Sequence, residues 1–534
     1  MKGDSKQRLK RGLNFWDLLM VSMGGIIGSG WLFGSLQGAS LAGPAVMLSW
    51  VIGGIAVILL ALTFAELSGI FPEAGALVRY PQYSHGTFVS YIMGWAMILG
   101  FASTPPIEAE SAVQFANYYI PGLYAKGALT HEGLIVAALL MLVFFLLNYF
   151  GVMVFAKTNT FWTALKILIP VVTIVLLLIS SFHPSNFTSA GGFAPDGSSA
   201  IFSAIPLGGI VYAYLGFEQA MDMAGEAKNP QRDVPRAVVL SVVIGIVLYA
   251  ALQFAWIVSM PKAQLVHGWS GINFSSPFAN LVATLGFGSW ASILFLDAIW
   301  SPSGTGNVFV ASTGRIIYAM SKNRYFPKIF TWVHPRTGVP VWAMVMTIIV
   351  GYVFLAPFPS WSSLVGIVSS ATVLVYIIGP ISTGALRKTA PDLNRPFKLA
   401  GLNIVGPLGF IAATLIIYWS GWKTDSVLLI AMLAGVVLYA YGASSFAEDT
   451  RPYGWKSIKA GIWLVVYLIV LLLMTYFGAK NFGAPHQLIK YPYDVIVLAV
   501  VSLIFYYWGI HSGIVTDELL TLKNESQAAD EEIA

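Results

Sequence analysis

Residues 24–30 read Gly-Gly-Ile-Ile-Gly-Ser-Gly in the middle of the first long apolar run of the chain. Four of these seven positions are glycine. Each glycine costs about 1 kcal/mol relative to alanine in a helix, so the helix is predicted to break here, at the depth of the bilayer centre. Opening a helix in hydrocarbon leaves N–H and C=O groups unpaired, which is tolerated only where protein or a bound ligand satisfies them. A small polar solute is therefore expected at this spot. The competing reading of the motif alone is close packing of two helices through small residues.

Outward from this motif, the chain has 534 residues, of which 57% are hydrophobic and 10% charged, with a mean hydropathy of +0.75. Such a composition identifies an integral helical membrane protein. There are no cysteines, which excludes disulfides and thiolate metal sites. The seven histidines fall in or near predicted loops and helix ends, so no metal centre and no cofactor is expected. The net charge of +5 is no nucleic-acid signal, because the basic residues follow membrane topology rather than a groove. No cleavable signal peptide is expected: the apolar run after the basic N-terminus is long and lacks a small-residue cleavage site.

Hydropathy and helix breakers predict membrane helices near 13–36, 43–70, 87–119, 132–152, 159–181, 200–225, 236–259, 280–320, 339–357, 361–386, 403–421, 425–443, 459–478 and 491–511. With the N-terminus inside, 23 of the 29 basic residues fall on the cytoplasmic side and 5 (Lys126, Lys262, Lys423, Lys480 and Lys490) outside, with Lys166 left within the membrane. The bias places both termini in the cytoplasm of a cell membrane. The tail after His511 is short and Glu-rich and is expected to be unstructured.

The sixth run contains Val-Tyr-Ala-Tyr-Leu-Gly-Phe-Glu at 211–218, which puts a carboxylate, Glu218, and a helix-weakening Gly216 deep in an apolar segment. Two interrupted helices five apart are what an inverted repeat of five helices places opposite each other at the midplane. An acidic side chain in a membrane helix is a functional candidate; the alternative for Glu218 is a cytoplasm-facing helix end, since Asp222 and Glu226 follow at one-turn spacing. Lys166, between Leu165 and Ile167 in the fifth helix, needs a partner or must lose its proton, unless it snorkels to the cytoplasmic surface. Asp297, in the apolar stretch 291–300 of the eighth helix, is the candidate partner for Lys166, or else an outer-leaflet acid reaching water. Glu108 and Glu110 of the third helix are two apart and point to different faces, so at most one lines the pathway.

Four stretches carry a resemblance: 24–30, Ala-Glu-Leu-Ser-Gly-Ile-Phe-Pro-Glu-Ala-Gly (65–75), the segment from Gly-Phe-Glu to Asn-Pro-Gln-Arg-Asp-Val-Pro-Arg-Ala (216–237), and Ser-Thr-Gly-Arg-Ile-Ile-Tyr-Ala-Met-Ser-Lys-Asn-Arg-Tyr-Phe-Pro (312–327). On these the chain resembles the amino acid/polyamine/organocation family of secondary transporters. Thr-Pro-Pro-Ile-Glu-Ala-Glu (104–110) and Leu-Asp-Ala-Ile-Trp-Ser-Pro-Ser-Gly-Thr-Gly (296–306) are most similar to its bacterial aspartate:proton symporters. The resemblance implies an all-α polytopic fold with a five-plus-five inverted-repeat, leucine-transporter-like core, broken helices 1 and 6, and four further C-terminal helices. The expected divisions are a cytoplasmic tail over 1–12, a transport core over 13–386, accessory helices over 387–511 and a cytoplasmic tail over 512–534.

The resemblance also implies roles. The N–H groups of Ser29 and Gly30, after Gly28, would meet the substrate carboxylate at a helix N-terminus. Carbonyls near Gly25 and Ile26, and at Tyr212, Ala213 and Leu215 beside Gly216, would take its ammonium, with Tyr212 as an aromatic gate. Lys166 would stand in for a sodium ion, reaching the carbonyls of Gly24 and Ile27 and the eighth helix. Proton coupling would rest on Lys166, Glu218, Asp297 and Glu108. The expected function is a sodium-independent, proton-coupled amino-acid symporter working by alternating access, with an amino acid, a proton and the lipid bilayer as partners. The competing readings are an exchanger without net ion coupling, a non-transporting amino-acid sensor and a membrane enzyme.

Overall fold

The computed structural model of the protein describes residues 12–73, 75–150, 152–357, 360–445 and 455–523; of 152–159 and 441–445 it describes the backbone only. The basic residues of the first eleven positions, Arg451, and the side chain of Lys157 lie outside the described residues. Among the described residues ten helical segments are long and apolar enough to cross a membrane; the shorter apolar helices Phe15–Ile26, Gly197–Leu207 and Val341–Leu355 and the long, less apolar Gly288–Lys322 supply the rest. Joined in chain order they make fourteen spans among the described residues, at the positions hydropathy predicts.

Span 1 is two helices, Phe15–Ile26 and Gly30–Ala42. Its start is set by a capping box. The Asn14 side chain accepts the Trp16 and Asp17 N–H groups (2.8 and 3.2 Å), and Asp17 accepts the Asn14 N–H at 2.9 Å. Span 2 is Val46–Ile70, span 3 Thr87–Ala102 continued by Thr104–Ala116, span 4 His131–Tyr149 and span 5 Val152–Ser180. Span 6 is cut twice: Gly197–Leu207, Ile210–Tyr214 and Gln219–Asp222. The break predicted at Gly216 is present; the one at Gly208–Gly209, where Gly209 has φ +77°, was not predicted. Spans 7 to 10 are Pro230–Ser259, Gly288–Lys322, Val341–Leu355 and the pair Trp361–Tyr376 and Ile378–Thr389. Spans 11 to 14 are Leu402–Trp419, Trp422–Ser445, Trp455–Phe477 and Tyr493–His511.

Packing repeats with a period of five spans. Span 2 lies on span 7, 3 on 8 and 4 on 9. Contacts come in mates: the first half of span 1 packs on span 7 as span 6 packs on 2; span 1 packs on 5 as span 6 packs on 10; span 5 packs on 8 as span 10 packs on 3. This reciprocity is what an inverted repeat requires. Spans 2, 6 and 7 are tied by a buried aromatic group. Trp50 Nε1 donates to Gln253 at 2.8 Å, and Tyr214 Oη donates to the Trp50 carbonyl at 3.1 Å. At the other end of span 2, fully buried Glu66 accepts two hydrogen bonds from Arg387 (2.9 and 2.5 Å) and one from the Leu399 N–H (2.8 Å). Arg395 also pairs with Glu66 at 3.4 Å, so this buried charge is held from two sides.

The reading of the C-terminal tail as unstructured is corrected over 512–523. The Ile514 N–H donates to the Ser84 carbonyl (2.9 Å), Gln82 donates to Glu518 (2.8 Å), and Leu519 is fully buried. Lys523 donates to Asp392 at 2.8 Å, and that bond holds the Asp392 carboxyl below its usual range. The platform is an amphipathic helix, Ala76–His85, between spans 2 and 3. Its tail contacts were illegible because the tail reads as polar at the level of composition.

Candidate functional site

The glycine motif opens span 1 between Ile27 and Ser29, where the second half-helix begins with unpaired N–H groups. The first of these is occupied: the Ser29 N–H donates to both oxygens of Glu108, at 3.2 and 2.9 Å. Tyr212 of span 6 donates its hydroxyl to the same carboxylate at 2.6 Å. A methyl group at Gly28 would collide with Glu108 Oε1, so glycine there makes room for the acid. Glu108 thus sits where the sequence expects a substrate carboxylate, and Ser29 is not free in this conformation. The reason is geometric: the rotation of span 3 aims position 108 at the break. Glu110, on the other face, is buried beside the interface of spans 3, 4, 8 and 9, as the two-residue offset predicts.

On the other flank of the break lies Lys166, 3% exposed, which disposes of the snorkelling reading. Its ammonium donates to the Gly24 carbonyl (3.2 Å) and to Thr305 Oγ1 (3.0 Å). The second expected contact is not made. The Ile27 carbonyl instead accepts from Ser301 and Thr305, both at 3.2 Å, because span 8 presents these hydroxyls between the lysine and that carbonyl. Thr305 also donates to the Gly24 carbonyl at 2.9 Å. Asp297, two turns earlier in span 8, is buried with Oδ2 unbonded, and no ion pair joins it to Lys166 among the described residues. The Ile26 carbonyl, expected to face an ammonium, accepts the Tyr249 hydroxyl of span 7 at 2.8 Å.

The break of span 6 is satisfied partly from within. The Gly216 N–H donates to Glu218 Oε2 at 3.0 Å, and Tyr376 of span 10 donates to the same oxygen at 2.6 Å. Gly216 has φ +114°, open to glycine alone, and a methyl group there would strike the backbone of Gly25 and Ile26. The two breaks therefore touch backbone to backbone. Gly30 meets Ala213 in the same way, with an added methyl 2.8 Å from the Ala213 Cα. On the side of Gly30–Ala42, Trp361 donates to Ser29 Oγ at 2.7 Å and meets the Tyr212 ring edge-on with centroids 5.9 Å apart. On the side of Phe15–Ile26, Ser22 donates to the Phe217 carbonyl (2.9 Å) and accepts the Ala220 N–H (3.2 Å), while the Leu13 N–H donates to the Glu226 carbonyl at 3.1 Å. Both approaches to the breaks are closed.

The break of span 1 is thus lined by a carboxylate on one flank and an ammonium on the other. The family model for amino acid permeases matches residues 13–439. The chain belongs to the amino acid permease family. The permease is 43% identical over 523 residues to the glutamate/serine transporter AimA of Bacillus subtilis, covering 97% of this chain and 96% of that protein. It is 39% identical over 516 residues to the aspartate-proton symporter of the same organism, covering 96% and 98%. The branched-chain amino acid permease BcaP, again from Bacillus subtilis, is 26% identical over 451 residues, covering 81% and 93%. The permease is thus a multi-pass amino-acid transporter and not an enzyme, as the resemblance implies.

The structure brings Gly24, Gly25, Ile26, Gly28, Ser29, Gly30, Tyr212, Ala213, Gly216, Lys166 and Glu108 together around the two breaks, with Leu215 and Glu218 in the second. Sequence reasoning did not single out Tyr249, Trp361 and Tyr376, which lie in spans whose hydropathy reads as scaffold, nor Thr305, although its stretch 296–306 is marked by the resemblance. Thr305 had one available signal: it sits between Gly304 and Gly306, and a methyl at 304 would press on the Lys166 side chain at 3.1 Å.

Proposed function

We propose that the permease is a sodium-independent amino-acid symporter driven by protons, in which substrate carboxylate and Glu108 compete for one N–H. The observation that carries this reading is the Glu108 carboxylate seated on the Ser29 N–H. An amino acid that takes the N–H groups of Ser29 and Gly30 must displace Glu108, and two carboxylates in one buried site do not both stay ionised. A proton taken up by Glu108 removes the conflict, so substrate and proton enter together. Tyr212, released from Glu108, closes over the substrate, and carbonyls at Gly25, Ala213 and Leu215 receive its ammonium.

Lys166 fills the place of a bound cation between Gly24 and span 8, and its charge balances the site when Glu108 is ionised. Opening to either side breaks the Trp361–Ser29 or the Ser22–Phe217 contacts, which gives alternating access around fixed scaffold spans. In this reading spans 1 to 10 (13–386) carry transport, spans 11 to 14 (387–511) are accessory, and both termini face the cytoplasm of the cell membrane. The relatives named for glutamate, serine and aspartate point to anionic and small polar amino acids as substrates.

The test is uptake by the purified permease in proteoliposomes, across a panel of amino acids, with and without a pH gradient and with choline replacing sodium. Aspartate, glutamate or serine should accumulate on an inside-alkaline gradient to the same level in both salts, and amines lacking a carboxylate should compete poorly. Accumulation that requires sodium overturns the reading; counterflow without pH-driven accumulation replaces symport by exchange.

A further inference from the structure

One turn beyond the break of span 6, a carboxylate sits where nothing bonds it. Asp222 is fully buried, and neither of its oxygens has a hydrogen-bond partner. Its N–H donates to the Glu218 carbonyl at 3.1 Å, which puts the two acids on one helix face; Glu218 Oε1 is likewise unbonded. The groups facing Asp222 from other elements are Arg315 of span 8, Tyr80 of the 76–85 helix and Tyr376 of span 10. Of these Arg315 alone is a cation. Its guanidinium is engaged with Glu226 through Nη2 at 3.4 Å, while Nη1 is buried without a partner.

An ionised carboxylate that is buried, unbonded and unpaired costs several kcal/mol. Two arrangements relieve it: the acid keeps its proton, or Arg315 turns its free Nη1 onto it. The first fits the closed conformation, in which Ser22 of span 1 bonds Phe217 and Ala220 and seals the segment from solvent. The second becomes available when those segments part and Glu226 is solvated.

We propose that Asp222 is a proton-carrying residue of the transport cycle. It holds a proton while Phe15–Ile26 is packed against 217–222, and gives it up when the two separate. The O–H bond of the carboxyl breaks, the proton passes to an incoming cytosolic water, and the carboxylate left behind pairs with Arg315, which keeps its own charge throughout. Glu218, one turn before Asp222 on the same face, passes protons from the break of span 6 to this residue. The proposal rests on the reading of the permease as proton-coupled, and it adds the inner acid through which protons leave.

The test compares full-length wild type, Asp222→Asn and Asp222→Glu in proteoliposomes by two transport assays and by infrared spectroscopy. In wild type a one-unit pH gradient coupled one proton per substrate sustains about tenfold accumulation. Asp222→Asn should lose that accumulation entirely and flatten the pH profile, yet keep substrate counterflow within about fivefold, the effect of one altered hydrogen-bonding group. Asp222→Glu should restore accumulation. An Asp222→Asn carrier that accumulates substrate as wild type does overturns the proposal.

The infrared measurement stands independently of transport. The wild-type closed carrier should contain a protonated-carboxyl stretch that moves in Asp222→Glu and disappears from that position in Asp222→Asn. A wild-type spectrum without such a band overturns the assignment. Wild type that fails to accumulate on a pH gradient sinks the symport reading instead, and the band then decides Asp222 by itself.

Discussion

The two broken helices differ in who satisfies them. The break of span 1 is filled from five other spans: Glu108 from span 3, Lys166 from 5, Tyr249 from 7, Ser301 and Thr305 from 8, and Trp361 from 10. The break of span 6 closes mainly on its own Glu218, two residues on, with one hydroxyl from Tyr376 and one from Ser22 of span 1, which bonds the Phe217 carbonyl. Orphan backbone groups at membrane depth need partners in both cases. Partners borrowed from many spans can be exchanged for a ligand as the spans move, whereas a local cap travels with its own segment. On the function proposed above, span 1 would be the port at which charges are traded, and span 6 the hinge that carries its acid along.

The sharpest way to break this contrast is to remove the cation from the port. Lys166→Ala leaves the Gly24 carbonyl with Thr305 alone and strips the positive charge that balances Glu108. Proton-driven uptake should fall about 100-fold or more, the usual loss for a group that handles the proton. Glu108 is left without its counter-charge and can relieve this by taking up a proton, so the protein should still fold, with reduced stability. Because no ion pair joins Lys166 to Asp297, the double change Lys166→Ala/Asp297→Ala should show only a small coupling in stability and in uptake. Rescue of Lys166→Ala by Asp297→Ala would instead reveal direct pairing in another conformation.

The hinge is tested at Gly216. Alanine there combines φ +114° with overlap on Gly25 and Ile26, a strain of about 2 kcal/mol that corresponds to about 30-fold in the population of the closed state. Gly245→Ala is the control, since its added methyl would meet neighbours at an ordinary 3.6 Å or more. A Gly216→Ala carrier as active and as heat-stable as the Gly245→Ala control would remove the hinge from span 6.

A smaller effect, but a more diagnostic one, is expected at the acid. Glu108→Gln keeps an oxygen for the Ser29 N–H and for Tyr212 but cannot carry a proton. Counterflow should persist, while the roughly tenfold accumulation sustained by a one-unit pH gradient should vanish. If Glu108→Gln still accumulates substrate on the gradient, the exchange of carboxylates at Ser29 is not the coupling step.

What could be read from the sequence divides along the same line. Both breaks were legible, because glycine clusters inside apolar runs violate helix propensity at a depth where violation is costly. So were the fourteen spans, from hydropathy, and Lys166, as an amine stranded between Leu165 and Ile167. The partners that fill the port were not. Whether Glu108 or Glu110 faces the break depends on the rotation of span 3, which packing against span 8 sets and periodicity does not. Tyr249 and Trp361 look like ordinary membrane-helix aromatics until another span brings a carbonyl or a hydroxyl to them. Asp222 enters the sequence reading only as support for the alternative at Glu218, a helix end, because one-turn spacing says nothing of burial.

Trp361 offers the mildest test of the port. Its indole N–H donates to Ser29 Oγ at 2.7 Å, while its ring packs on Phe33 with centroids 4.9 Å apart and on Tyr212. Trp361→Phe retains most of the ring contact and deletes the donor. One neutral hydrogen bond is worth about 1 kcal/mol, so the half-saturating substrate concentration should change by about fivefold at most, with the maximal rate preserved. The direction is informative. A bond that holds the closed, substrate-free conformation taxes binding, and its loss should lower the half-saturating concentration; a bond retained with substrate bound should raise it. Because Ser29 is the residue whose N–H Glu108 occupies, a lowered value together with an unchanged pH profile would mean that closure and proton coupling at this one serine are separable, the first through its hydroxyl and the second through its backbone.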